Sequence, residues 1–269
     1  MAKDRIESKY VTVAPGVELH ILEKGEGKPL VFIPGLTFSG EIFKNQLEYF
    51  SSEYRVIAID PRGQGYSAKT VDGNDYLTHG RDVAGLKDIV LIGWSTGNLD
   101  TWSYVQQFGK DKLRGVVTID MSPLPLSPDP KWWTEGTIEE LSQVATQVLT
   151  SSEGCREFFS EYATGVMIQH KMEPDELEYL LDISGRTPYW ICRQLFCDAV
   201  FSNYLEIAKD VGATLPSLMF IAEHWQDIAK PFVEAQLPGY DTYVMGGHLM
   251  FYEYPEKWNH VLEDFLNKL

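Results

Sequence analysis

Short apolar runs bounded by turn residues constrain the fold of this chain more than any other feature. Residues 30–33 are all apolar, and Pro34 and Gly35 follow them directly. Similar runs recur at residues 55–60, 89–93 and 113–120, and helical candidates lie between them at residues 41–50 and 96–108. Strands that are apolar on both faces are typical of parallel sheets covered by helices. The alternation therefore predicts an α/β fold with a mostly parallel, twisted sheet flanked by helices.

The remaining core elements lie towards the two ends of the chain. Residues 10–13 and 17–23 flank Pro15 and Gly16, a pattern that predicts an antiparallel hairpin. Further strands are predicted at residues 217–222 and 241–245, and helices at residues 228–236 and 255–268. The connection from Asp60 to Ile89 is long enough to reach a parallel strand, but residues 82–84 run straight into residues 85–88, so the helix of this crossover must be short or displaced.

A segment of different character interrupts the alternation after residue 121. It begins with four prolines within residues 123–130, too many for a regular element. Four helical stretches rich in aromatic residues follow, at residues 139–149, 153–167, 175–183 and 188–201. Insertions at the carboxyl ends of strands are where open α/β sheets place their ligand sites. We therefore predict an α/β core from residues 1–121 and 206–269, and a helical lid from residues 122–205.

The charge of the chain excludes several partners. Its 269 residues include 23 Lys and Arg against 39 Asp and Glu, a net charge of −16. Such a surface repels phosphate backbones and anionic lipid, so we expect neither nucleic acid nor a membrane as a partner. No apolar run approaches the roughly 20 residues of a membrane helix, and the N-terminus lacks the apolar stretch of a signal peptide. A cytoplasmic location is expected.

Cysteine and histidine spacing indicates neither a disulfide framework nor a metal site. Cys155, Cys192 and Cys197 form no paired zinc signature, and their odd number leaves one unpaired. None of the six histidines shows a metal-binding spacing. The prediction is therefore that the protein uses no metal and no cofactor.

The strongest local signal for chemistry is Gly93-Trp94-Ser95-Thr96-Gly97. It directly follows an apolar strand and directly precedes a helical segment. Glycines on either side of a serine permit a sharp strand-to-helix turn that lifts the hydroxyl above the sheet. Ser95 is accordingly the predicted nucleophile, and the alternative is a serine that caps the helix.

A serine nucleophile needs a positioned base, and His248 is the best candidate. It follows Gly246 and Gly247 at the end of the last predicted strand. The acid that orients the imidazole must lie between the serine and the histidine in the chain. Asp120, Glu223 and Asp227 each follow a predicted strand in that interval. The residues alone leave these three open.

Two backbone N–H groups must hold the oxyanion that develops during acyl transfer. The amide of Thr96, directly after the nucleophile, is one predicted donor. The turn that begins at Pro34 and ends the first parallel strand should provide the other, and Leu36 is the residue we select.

These motifs, taken together and in this order, resemble the α/β-hydrolase superfamily. The matching segments are Pro34-Gly35, residues 60–65 (a D-x-R-G-x-G loop with Gln64 in place of the usual histidine), residues 93–97, and His248 with its preceding glycines. Members usually place the acid in a G-x-x-D motif after the strand at residues 217–222, where this chain has Trp225. Some relatives, among them cofactor-independent ring-cleaving dioxygenases, carry it one strand after the nucleophile. The resemblance therefore favours Asp120.

The resemblance implies a lidded esterase or lactonase that cleaves an apolar ester, lactone or N-acyl-homoserine lactone through an acyl-enzyme. Ser95, His248 and Asp120 would form the triad, and Leu36 and Thr96 the oxyanion hole. Similar relatives include perhydrolases of the non-haem haloperoxidase type. A cofactor-independent dioxygenase that uses only the His–Asp pair and a non-catalytic receptor are the alternatives. The expected partner is a small molecule, and a homo-oligomer is left open.

Overall fold

The computed structural model of the chain describes residues 5–85, 87–129 and 131–269. The expectation about a signal peptide rests on the N-terminus, and its first four residues lie outside the described residues. Leu86 of the predicted crossover and Pro130 of the proline-rich segment also lie outside them.

Eight strands of the described residues form one sheet. They are β1 (Glu7–Ala14), β2 (Val17–Lys24), β3 (Pro29–Ile33), β4 (Arg55–Ile59), β5 (Ile89–Trp94), β6 (Leu113–Ile119), β7 (Ser217–Ile221) and β8 (Tyr240–Val244). Their order in the sheet is β1-β2-β4-β3-β5-β6-β7-β8. Strand β2 pairs antiparallel with β1 and with β4, and the other neighbours are parallel. The predicted mostly parallel sheet with an N-terminal hairpin is confirmed.

Helices flank the sheet. They are α1 (Lys44–Phe50), α2 (Tyr76–Asp82), α3 (Gly97–Phe108), α4 (Ile138–Gln143), α5 (Ser152–Tyr162), α6 (Pro174–Gly185), α7 (Tyr189–Phe201), α8 (Leu205–Thr214), α9 (Gln226–Gln236), α10 (Met250–Glu253) and α11 (Pro255–Leu266). Within the described ranges, no helix combines the length and the apolar character needed to cross a bilayer.

The central strands are buried on both faces, as their apolar sequences predict. All six residues of β5 and all five of β7 are buried. In the register of the parallel strands Ile33 lies opposite Gly93, and Trp94 lies opposite Ile119. The carboxyl ends of β3, β5 and β6 therefore meet at one edge of the sheet, and the loops that leave this edge converge.

Helices α4 to α7 belong to one long insertion between β6 and α8. We refer to residues 122–205 as the helical insertion. Helices α4 and α5 each continue into a π-helical turn, Val144–Val148 and Ala163–Met167. The second π turn is bonded to the core, because Val166 and Met167 accept backbone hydrogen bonds from the amides of His248 and Leu249 at 3.1 and 2.9 Å.

The crossover helix α2 is short, with seven residues, as predicted. Asp75 caps it by accepting a hydrogen bond from the Thr78 amide at 2.7 Å. Gly80 packs so closely on α3 that a Cβ atom would lie 2.6 Å from Oγ of Ser103. The short helix α2 is therefore held against the core by its close packing on α3.

Helix α8 has no counterpart among the sequence predictions. Its N-cap residue, Tyr204, makes no side-chain cap hydrogen bond, and the helix contains Gly212, which disfavours a helix. Glycine is required at this position because the helix backbone lies against Tyr240, the first residue of β8. A Cβ atom on Gly212 would lie 2.7 Å from the Tyr240 ring. Tertiary packing overrides the local preference here.

Candidate active site

Ser95 occupies a strained turn between β5 and α3. Its φ of +53° lies in the left-handed region, which costs a residue with a side chain about 1–3 kcal/mol. The flanking glycines permit this turn, since a Cβ atom on Gly97 would lie 2.3 Å from the carbonyl oxygen of Ile33. A Cβ atom on Gly93 would lie 2.5 Å from the carbonyl oxygen of Gly97. The predicted strand–serine–helix turn is present, with Ser95 at the positive end of α3.

The carboxylate of Asp120 contacts the imidazole of His248. Nδ1 of His248 lies 2.6 Å from Oδ2 of Asp120, and both side chains are buried. The Ala222 amide donates to Oδ1 of the same carboxylate at 2.8 Å, so both oxygens are held. Nε2 of His248 is buried and has no partner among the described residues. The imidazole is therefore oriented by one nitrogen and free at the other.

The two alternative acids lie elsewhere. Glu223 and Asp227 are exposed, at the start of the segment that leads into α9. Oε2 of Glu223 accepts a hydrogen bond from Gln169 at 3.0 Å instead of approaching His248. Of the three candidates, the structure brings Asp120 to the histidine.

The imidazole lies beside the serine elbow. Its ring centroid is 5.4 Å from that of Trp94, the residue before Ser95, and 5.5 Å from that of Tyr162. Nε1 of Trp94 donates to the backbone carbonyl of His248 at 2.8 Å. Burial raises the pKa of Tyr162 well above its ordinary value, so the phenol next to the histidine stays neutral.

The turn after β3 packs directly against the elbow. A Cβ atom on Gly35 would lie 2.7 Å from Cβ of Ser95, and Thr37 has a φ of +69°. Within the described part of the chain, neither the amide of Leu36 nor that of Thr96 has a hydrogen-bond acceptor. Both residues line the cavity above Ser95. Two free N–H groups thus flank the serine, where an oxyanion could bind.

Gln64 holds this turn in place, a role that the sequence predictions missed. Its buried Oε1 accepts the amide hydrogen of Thr37 at 2.6 Å. Its Nε2 donates to the carbonyls of Gly35 and Phe38 at 3.3 and 3.2 Å. The only sequence signal was the departure from histidine at this position of the D-x-R-G-x-G loop.

A cavity of about 460 Å³ opens above Ser95. Most of its wall is apolar, and none of the described residues that line it is a lysine or an arginine. The lining residues are Leu36, Phe38, Trp94, Ser95, Thr96, Met121, Pro125, Glu135, Glu140, Leu141, Val144, Phe158, Phe159, Tyr162, Met167, Phe196, Ala199 and Val200. The cavity suits an uncharged, largely apolar ligand.

Glu135 is a half-buried acidic side chain in this wall of described residues, and sequence reasoning missed it. Burial raises the pKa of Glu135 from 4.5 to about 7, although His248 and the backbone N–H of Ser122 act to lower it. Oε1 is buried and has no partner among the residues described. Glu135 lies in an irregular loop before α4, so no periodicity could have placed it in the cavity.

The raised pKa of Glu135 predicts that stability falls as pH rises from about 4.5 to about 7. In that interval the native state binds the proton more tightly than the unfolded chain does, and ionisation of the buried acid opposes folding. The full effect is about 3 kcal/mol. Glu135→Gln should remove this loss, measured by urea unfolding at pH 5 and pH 8. Glu139→Gln, an exposed change nearby, serves as the control, and an equal pH dependence in wild type and Glu135→Gln would contradict the prediction.

The other buried histidines pair with other carboxylates. His20 bonds to the carboxylate of Asp60 at 2.9 Å beneath the D-x-R-G-x-G loop. His79 of α2 lies 3.3 Å from the carboxylate of Asp100 on α3. Among the residues described, no cluster of three or more His, Cys, Asp or Glu side chains could hold a metal ion.

The comparison with known families accords with the fold. The family model described as "alpha/beta hydrolase fold" matches residues 28–188, more than half of the chain. The chain therefore belongs to the α/β-hydrolase fold family.

Individual similar proteins carry several activities. The chain is 30% identical over 163 residues to a non-heme haloperoxidase from Rhodococcus erythropolis, which covers 58% of each protein. It spans about half the length of the curated relatives that it matches. An esterase from Exiguobacterium antarcticum has a TM-score of 0.86 at 18% identity, covering 97% of this chain and all of the other. An N-acyl homoserine lactonase crystallised with N-hexanoyl homoserine has a TM-score of 0.76 at 23% identity, covering 98% and 97%. These two structural likenesses show the fold alone.

Proposed function

We propose that the protein is a serine hydrolase that cleaves a neutral carboxylic ester or lactone through an acyl-enzyme. The observation that carries the proposal is the 2.6 Å contact between Asp120 and His248, beside a strained serine elbow. Membership of the α/β-hydrolase fold family supports a hydrolase in general terms.

The proposed reaction follows from these positions. Oγ of Ser95 attacks the carbonyl carbon while Nε2 of His248 takes its proton, and Asp120 keeps the proton of Nδ1 in place and stabilises the imidazolium. The amides of Leu36 and Thr96 bind the oxyanion. When the ester C–O bond breaks, His248 gives its proton to the leaving alcohol, and water then hydrolyses the acyl-enzyme by the same steps.

The cavity wall supports a neutral substrate. A carboxylate or phosphate in this cavity would meet the fields of Glu135 and Asp120 with no lysine or arginine among the described lining residues. Burying an unpaired charge is costly, so anionic substrates are disfavoured. Esters and lactones with apolar substituents, including N-acyl-homoserine lactones, fit this description. The helical insertion forms much of the wall and would act as the lid.

Cofactor-free oxygenation of an aromatic enolate is the second candidate. This candidate also rests on the contact between His248 and Asp120, whose carboxylate accepts a hydrogen bond from the Ala222 amide. The His–Asp pair could abstract a proton from the substrate without any part played by Ser95. Such a reaction would not require a free serine hydroxyl.

A substrate panel with a serine-directed phosphonate separates the candidates. We expect p-nitrophenyl butyrate or γ-lactone hydrolysis by the untreated protein, its loss on modification, and the adduct on the peptide that contains Ser95. Turnover of hydroxyquinolones that survives modification would favour the oxygenase. Ligand-dependent thermal stabilisation with no turnover of any compound would favour a receptor and contradict the hydrolase.

Gln64→Leu should lower kcat for ester hydrolysis by roughly 10- to 100-fold with little change in KM. The substitution removes the bonds that aim the turn carrying the Leu36 amide, and one oxyanion donor is typically worth about 100- to 1000-fold. Steady-state kinetics on p-nitrophenyl butyrate measures the effect. Gln46→Leu is the matched control, because Gln46 is also buried but bonds to Phe251 and Asn259. Equal kcat values for the two variants would show that Gln64 does not position the oxyanion turn.

A further inference from the structure

The mechanism proposed above assigns no role to Glu135, a polar side chain in the wall of the cavity. The triad uses Asp120 and His248, and the oxyanion uses backbone amides. Glu135 takes part in neither, although it lines the same cavity as Ser95. The Glu135 amide donates to the carbonyl of Pro125 at 2.8 Å, which anchors its loop.

One oxygen of the Glu135 carboxyl group lacks a hydrogen-bond partner within the described chain. The carboxyl group lies near the backbone N–H of Ser122, two residues after Asp120, which acts to lower its pKa. Oε1 is buried and has no partner among the residues that the structure describes. An unpaired buried acceptor is unfavourable, so the empty position favours a ligand that brings a hydrogen-bond donor.

Glu135 and Tyr162 line the same cavity as Ser95, and the ring of Tyr162 packs on the imidazole of His248 with 5.5 Å between the ring centroids. The charge of His248 acts to lower the pKa of Glu135, and the charge of Glu135 acts to raise that of Tyr162. This places Glu135 towards the His248 side of the cavity. In serine hydrolysis the histidine returns its proton to the leaving alcohol, so the alcohol occupies that side. Glu135 therefore faces the alcohol part of the substrate.

We propose that Glu135 is a specificity-determining residue that accepts a hydrogen bond from a hydroxyl group on the leaving alcohol of the ester. The inference rests on the proposed function and narrows it to esters of hydroxylated alcohols. A hydrocarbon alcohol of the same size would leave Oε1 unpaired, and an alcohol that carries a carboxylate would meet a second negative charge. Sites built to pair with a hydroxyl reject analogues that lack it.

Two esters of equal size test this inference: 2-hydroxyethyl butyrate and propyl butyrate. Both esters form the same butyryl-enzyme on Ser95, so the deacylation step is identical for the two. The ratio of their kcat/KM values therefore reports how the alcohol part is recognised. We expect wild type to prefer the hydroxylated ester by roughly 10- to 100-fold, the range of a hydrogen bond to a charged group. Acid release in a pH-stat at pH 8, where the Glu135 carboxyl group is ionised, measures both rates.

Three variants identify the residue responsible. Glu135→Leu should bring the ratio close to one, and Glu135→Gln, which keeps a carbonyl acceptor, should retain part of the preference. Glu140→Gln is the matched control, because Glu140 also lines the cavity but is bonded to Thr137 at the start of α4. A ratio near one in wild type, or a ratio that Glu135→Leu does not change, would overturn the inference. Because the ratio is taken within each variant, a loss of folded protein cannot imitate the result.

A binding measurement separates this inference from the proposed function. We would titrate Ser95→Ala with N-(2-hydroxyethyl)butanamide and N-propylbutanamide and follow Trp fluorescence. Tighter binding of the hydroxylated amide, lost in Ser95→Ala/Glu135→Leu, supports the role of Glu135 even where wild type hydrolyses neither ester. Equal binding of the two amides contradicts it, whether or not the esters are hydrolysed.

Discussion

Ser95→Ala should lower kcat for hydrolysis of p-nitrophenyl butyrate by roughly 10⁶-fold, the largest effect that we expect of any single substitution. The alanine keeps the turn but removes the hydroxyl of the proposed nucleophile, so no acyl-enzyme can form. Residual hydrolysis from the oxyanion donors and from substrate binding would remain above the uncatalysed rate. Stopped-assay measurements over hours are needed to quantify it.

The control for this substitution is a serine of the same chemistry outside the site. Ser52 is exposed at the end of α1, and Ser52→Ala should leave kcat unchanged. The unfolding temperature of Ser95→Ala should be no lower than that of wild type. The alanine retains the backbone conformation, and Oγ of Ser95 makes no hydrogen bond to the described residues that could be lost. Hydrolysis by Ser95→Ala at more than a few per cent of the wild-type rate would show that another group is the nucleophile.

Asp120→Asn is expected to lower kcat by about 10⁴-fold. The asparagine can still accept the Ala222 amide hydrogen through its oxygen, but its NH₂ group would then face Nδ1 of His248. Nδ1 would have to accept, which places the imidazole proton on Nε2. The histidine could then no longer take the proton of Ser95. The loss should appear in kcat, with KM little changed.

Glu223→Gln and Asp227→Asn are the matched controls for Asp120→Asn. Both residues follow β7, where many members of the family carry the acid, and both are exposed here. Each substitution should change kcat by less than about threefold, consistent with changes at exposed sites that do not touch the histidine. A larger loss in Glu223→Gln than in Asp120→Asn would place the acid on the β7 loop and contradict the geometry.

The position of Asp120 has a clear structural basis. It follows β6 with a φ of +50°, and its amide donates to the carbonyl of Phe220 on the neighbouring strand at 2.9 Å. This turn directs the carboxylate across the end of β7 to the Ala222 amide. The loop after β7 is therefore used to hold the acid that β6 carries, and it does not need to supply one.

Much of the fold could be predicted because the signals are local. A strand that is buried on both faces is mostly apolar along its length, so β3, β5 and β6 are visible in the sequence. The turn at Ser95 requires glycine on both sides for steric reasons, and this requirement leaves a five-residue motif. The short crossover helix α2 was also visible, because the helical residues that end near Ala84 run directly into the residues that lead to β5.

Helix α8 and the roles of Gln64 and Glu135 could not be predicted in this way. Each depends on atoms that are distant along the chain: Tyr240 against Gly212, the turn at Thr37 against Gln64, and the Ser122 amide against Glu135. No spacing of residue types encodes such pairs.

The sequence by itself determined the class of fold, the serine elbow and the histidine that follows the last strand, because backbone sterics and strand burial are properties of neighbouring residues. Which of the three acids contacts His248, the position of the turn after β3 and the half-buried carboxyl group in the cavity were decided only by the tertiary structure. Those features depend on which loops meet at the carboxyl edge of the sheet. They also depend on the helical insertion, whose Thr187 hydroxyl donates to the Thr37 carbonyl at 2.9 Å across 150 residues of chain.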